Sequence, residues 1–157
     1  MTTATSDQHV HGEHADHSER APDGIMQAVK RGMVQRCPAC GTGRLFRAYL
    51  KVADECPECH EEMHHHRADD LPAYIVISIV GHIVVSLVLI VETAFSPSYA
   101  VHLALWPALT IALTFLMIQP VKGAVVALQW FMGMDGFEPA RKRRDLAAAR
   151  AVYSRTN

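Results

Sequence analysis

From residue 71 to residue 121 the sequence has almost no charge: Glu92 is the one charged residue among 51. A soluble helix or strand does not stay uncharged over such a length, because one of its faces must meet water. An ordinary soluble domain is thereby excluded, and so is an enzyme built on a large self-contained fold. About 70 residues precede the block and about 36 follow it. Neither piece is long enough to bury an independent core. An excess of charge of either sign is also missing. Fifteen Lys plus Arg stand against 16 Asp plus Glu, for a net charge of −1, so nothing draws the whole chain toward nucleic acid. Residues 1–24 lack any apolar stretch, and no signal-peptide pattern is read there. Their low hydrophobicity, with His9, His11, His14 and His17, leads us to expect a disordered tail.

The apolar block divides in two. Residues 71–95 give 25 mostly apolar residues, roughly 37 Å of helix against a hydrocarbon core of about 30 Å. Ser96-Pro97-Ser98 is a turn too short for anything except an antiparallel hairpin, and residues 99–120 supply a second span. Pro107 falls inside that span, where a neighbouring helix can satisfy the freed carbonyl, and Pro120 is expected to end or bend it. Residues 121–134 are apolar but carry Lys122 and Gln129; being too short to cross, they read as an amphipathic helix in the headgroup region. Residues 135–157 begin with an Asp-Gly turn and continue as a basic, Ala-rich helix candidate. The expected fold is an all-α membrane hairpin with a small N-terminal ribbon and a C-terminal interfacial or basic helix.

Seven Lys and Arg lie between Lys30 and Arg67, seven more lie from Lys122 to Arg155, and the turn between the spans has none. The excess of positive charge on loops marks the cytoplasmic side, so both termini are expected there.

The ribbon, expected within residues 25–66, is carried by Cys37-Pro-Ala-Cys40-Gly41 and Cys56-Pro-Glu-Cys59-His60, with 15 residues between the pairs. Two intervening residues let both thiolates of a knuckle reach one ion, and two knuckles complete a tetrahedron about zinc. Gly41, and His60 in the matching place, suit a left-handed backbone after each knuckle. Other readings exist. Cys56–His60 is also a haem-attachment pattern, but that chemistry belongs outside the cytoplasm and leaves Cys37 and Cys40 unexplained. Redox catalysis by a C-x-x-C needs a βαβ setting that is not seen here. Paired disulfides are disfavoured in a reducing compartment. Four thiolates would close the coordination sphere of zinc and leave no position for a reacting water, so a structural ion is expected and catalysis is not.

The run Arg36-Cys37-Pro38-Ala39-Cys40-Gly41, with Gly43, Leu45, Phe46 and the second cysteine pair, resembles the bacterial family called domain of unknown function 983. Asp69-Asp70-Leu71-Pro72-Ala73-Tyr74, Gly81-His82-Ile83-Val84-Val85 and Ala127-Leu128-Gln129-Trp130 fit the same pattern, while His60 departs from the glycine usual at its place. The likeness covers about Gly32 to Trp130. It implies a small two-span inner-membrane protein with a cytoplasmic zinc ribbon. More loosely, it implies a link to cytochrome c oxidase, a haem-copper enzyme, or to its assembly factors. It implies no reaction.

Two histidines and one glutamate sit inside the spans. His82 lies near the middle of the first, with Ser78 and Ser86 one turn away on either side. It reads either as a ligand or partner contact, or more plainly as a neutral imidazole bonded within its own helix. Antiparallel packing sets Glu92 level with His102, so the two can hydrogen-bond or can each reach the interface separately. Arg141-Lys142-Arg143-Arg144 is expected to meet anionic lipid. Arg36, Arg44, Arg47 and Lys51 on the ribbon are offset by five acidic residues, which argues against nucleic acid. The expected function is a non-catalytic accessory or assembly factor for a membrane complex. The alternatives are a metallochaperone passing copper or zinc through the thiolates and the histidine tail, and a thiol oxidoreductase.

Overall fold

Among the described residues six elements follow one another: α1 (Ile25–Met33), β1 (Phe46–Ala48), β2 (Lys51–Val52), α2 (Leu71–Phe95), α3 (Tyr99–Met132) and α4 (Glu138–Thr156). The structure is a computed structural model that describes residues 21–65 and 70–156. The four tail histidines, His66 and Arg67 lie outside them.

Helices α2 and α3 form the expected antiparallel pair. Pro72 falls in the first turn of α2, where its missing N–H is no loss. Ser96 takes a left-handed backbone at the other end, and its N–H donates to Glu92 O at 3.0 Å. Only Pro72, Val76 and Val80 of α2 are buried, while Tyr74, Leu89, Ile111 and Leu116 are among the large apolar side chains left bare on the pair. Helices apolar all round suit lipid rather than water. Both are long and apolar enough to cross a membrane.

The second helix corrects the sequence reading. No end occurs at Pro120, and residues 121–134 do not form a separate helix; α3 runs unbroken for 34 residues to Met132. A proline in a helix interior costs about 3 kcal/mol. Here burial of Val125, Val126, Ala127 and Trp130 beyond it offsets that cost. Their cover comes largely from α1 and the ribbon, so this apolar face is not left over for headgroups. Gly133 ends α3 in a left-handed conformation, with Met134 N–H reaching back to Gln129 O at 3.0 Å.

The ribbon is built from short antiparallel pairings. β1 and β2 join Phe46 to Val52, and isolated bridges join Arg36 to Arg44 and Glu55 to Glu62. Its apolar side chains do not make a core alone. Leu45, Phe46 and Met63 belong to one buried cluster with Val125, Val126 and Trp130 of α3, and with Phe137 at the start of α4. Glu61 ties the same pieces by hydrogen bonds. It accepts from Trp130 Nε1 at 3.2 Å and from Arg143 Nη2 at 3.0 Å. The two soluble ends are each too small to fold alone, and together they close one core against the end of a long helix.

Candidate metal centre

Each cysteine pair opens a tight turn with the same backbone wiring. Gly41 N–H donates to Cys37 O at 2.8 Å, and His60 N–H donates to Cys56 O at 3.0 Å. Both residues have positive φ, +73° at Gly41 and +56° at His60. These turns aim all four sulfurs at one point. Cys37 Sγ lies 3.8 Å from Cys59 Sγ, and Cys40 Sγ lies 3.8 Å from Cys56 Sγ. All four fall within 4.8 Å of one another, and none is in a disulfide. A tetrahedron with metal–sulfur bonds of about 2.3 Å has edges of about 3.8 Å, so the residues present fit a tetrathiolate ion. Zinc and iron both accept this donor set.

Four sulfurs this close cannot all ionise without a cation among them. Hydrogen bonding to the Cys56 and Cys59 sulfurs, with burial, drives the Cys37 thiol far above its ordinary range. The same bond to Cys37 pulls Cys56 well down. Burial opposes ionisation of Cys40, but the Thr42 hydroxyl at 3.3 Å and the backbone of Gly43 and Thr42 outweigh it and bring that thiol down. Contact with Cys37 lowers Cys59, whereas Cys56 and burial leave it pushed up to about 12. A divalent ion would hold all four as thiolates.

Residues without a motif support this geometry. Arg31, at the end of α1, donates from Nη1 to Pro38 O at 3.1 Å and Ala39 O at 3.0 Å, clamping the first knuckle. Gly43 leaves room that a Cβ would take from Cys56 Sγ. Nothing in the spacing of Arg31 from Cys37 announces the clamp.

A second group lies where the ribbon leaves for α2. Ligand atoms of Glu62, His64 and His65 gather within 4.8 Å of one another, with Glu62 and His64 exposed and His65 half-buried. His65 Nε2 is 3.2 Å from Glu62 Oε2, and the His65 ring stands edge-on to Phe137.

The intramembrane polar residues divide between the two spans' surfaces. His82 is on the exposed side of α2, and its Nδ1 is 2.6 Å from Ser78 O. A carbonyl only accepts, so Nδ1 is the donor in this bond. Glu92 and His102 do meet across the hairpin, with Oε2 to Nε2 at 3.0 Å. Trp106 joins them, donating from Nε1 to His102 Nδ1 at 2.7 Å. In the basic run, Arg143 is held by Glu61, and Arg144 donates to Phe131 O at 2.6 Å while stacking on that ring at 4.2 Å. Burial pulls the Arg144 guanidinium below its ordinary range.

Residues 46–130 match the family described as protein of unknown function (DUF983). This chain belongs to the DUF983 family. The match takes in the second knuckle and most of α3; it begins later than the likeness read from Gly32, leaving Cys37 and Cys40 outside. No curated protein and no solved structure gives a significant match.

Proposed function

We propose that this DUF983 member is a non-catalytic accessory or assembly factor of the bacterial inner membrane, with zinc in its ribbon and both termini in the cytoplasm. One observation carries the reading: four sulfurs at tetrahedral spacing are built into a core shared with a membrane-length helix. A closed tetrathiolate offers no open position for chemistry, and zinc in that setting organises a small surface. Such a surface, fixed at the end of a spanning hairpin, suits docking onto another membrane protein. The positive-charge distribution supports the orientation, and Lys142 with its neighbours is the proposed contact to anionic lipid. The resemblance to family 983 suggests cytochrome c oxidase or its assembly factors as the complex served.

The deciding experiment is recovery of a tagged chain in mild detergent, followed by mass spectrometry of what accompanies it. Oxidase subunits or their assembly factors should come with the wild-type chain and be lost with Cys56→Ser. Recovery of neither would remove the assignment.

The Glu62, His64 and His65 group favours one other reading, that of a metallochaperone. A second set of nitrogen and oxygen ligands, begun three residues after Cys59, gives a departing ion another place to rest. A structural zinc resists mild chelators over hours, whereas a cargo ion leaves quickly.

A further inference from the structure

Beside the ribbon lies a cleft of about 690 Å³ whose walls include Arg36, Arg44 and Arg47, with Glu58 as the one acidic side chain and Gln119 contributed by α3. We propose that this cleft binds the phosphate group of an anionic phospholipid. The proposal rests on reading α2 and α3 as membrane spans.

The charges come first. Arg36 and Arg44 stand directly opposite each other on an antiparallel bridge. Like charges in that position repel, and an anion between them turns the repulsion into a clamp. Arg36 donates from Nη1 to Thr42 O at 2.7 Å, which fixes its guanidinium without neutralising it. Arg47 pairs with Asp54 at 2.8 Å. Arg44 is exposed and has no side-chain partner among the described residues. Positive charge therefore exceeds negative even after the Asp54 pair and Glu58 are counted.

Depth decides which anion. The apolar run of α3 closes at Gln119, and Lys122 follows. Tyr49, at the tip of the β1–β2 hairpin, donates its hydroxyl to Phe115 O at 3.1 Å, and the two rings lie 6.4 Å apart. Phe115 is four residues closer to the apolar centre than Gln119, or about 6 Å at 1.5 Å per residue. The hairpin tip thus enters the apolar layer, as interfacial tyrosines do, while the arginines stay at the level of Gln119. Lipid phosphates occupy that level. Acyl chains below it would run along Phe115 and Leu116, which are 64% and 72% exposed. A free phosphate offers the same oxyanions but nothing for that apolar wall, and a nucleic acid backbone would have to leave water to reach it.

The test uses the full chain in a neutral detergent, read by native mass spectrometry. Phosphatidylglycerol should be retained as one adduct per chain, and Arg44→Gln should weaken retention about tenfold, the worth of one charge-assisted bond. Arg44 serves the ribbon through its backbone bridge to Arg36, which the Gln variant keeps, and unchanged metal content will show that the variant is folded. Arg150→Gln, a control on α4, should retain lipid as the wild type does. Equal retention by Arg44→Gln overturns the proposal. Retention of inorganic phosphate, or of a short oligonucleotide, in preference to the lipid overturns it in favour of those anions. Release of the chain from membranes by carbonate would instead remove the spanning reading beneath it, an outcome distinct from lost lipid selectivity.

Discussion

Gly32 of α1 and Gly123 of α3 meet backbone to backbone, so that a Cβ on either would run into the carbonyl oxygen of the other. Ala127 closes the same contact one turn further along, 2.7 Å from the place a Cβ on Gly32 would take. Small residues at a crossing let helix axes approach closely, and this crossing seats the whole ribbon on α3.

Substituting Gly123 by Val should therefore unseat the ribbon, since the obstruction is backbone and cannot rotate aside. Overpacking of this kind costs about 1–3 kcal/mol. Limited proteolysis within the ribbon should quicken, with the helical content of the spans preserved. An unchanged digestion pattern would contradict the seating.

Metal analysis of the purified chain should return about one ion per molecule. Cys56→Ser should abolish it and unfold the ribbon, because the free energy of binding is also free energy of folding. Elemental identity separates zinc from iron, which the sulfur spacing alone does not. Acidification should release the ion, since every thiolate must then compete with protons. A ratio near zero, with the cysteines found in disulfides, would defeat the assignment.

The Trp106–His102–Glu92 chain fixes a tautomer. An indole N–H can only donate, so His102 Nδ1 is the acceptor and Nε2–H donates to Glu92. Nitrogen-15 spectra of the reconstituted chain at neutral pH should show a neutral imidazole protonated at Nε2. Trp106→Phe should free Nδ1 and alter that signature. An imidazolium in the wild-type protein would refute the arrangement.

Reporter fusions should place residue 157 and the turn at residues 96–98 in opposite compartments, with residue 157 in the cytoplasm. A periplasmic C-terminus would reverse the orientation and reopen the haem-attachment reading of Cys56–His60.

The two apolar helices and the four-cysteine cluster were legible because each is written locally, in composition for one and in spacing for the other. The continuation of α3 past Pro120 was not. Local rules end a helix near a proline, and the burial that carries this one onward comes from α1, almost a hundred residues earlier in the chain. Trp106 and Arg31 escaped for a similar reason: a tryptophan in a span and an arginine on a short helix look ordinary until their partners are placed. The opposition of Arg36 and Arg44 depends on the register of one bridge, which the residues between them do not announce.

The unbroken α3 has a mechanical consequence. About 12 of its residues extend beyond the apolar run, and the ribbon is seated on that extension rather than hung from a loop. Val125, Val126 and Trp130 make that extension and the ribbon one packed body, so a change of slope that passes Pro120 appears as a displacement of the ribbon outside the bilayer. Span tilt responds to bilayer thickness. The seated ribbon thus rides on the shorter arm of α3, about 12 residues of its 34, and the longer arm lies in the lipid.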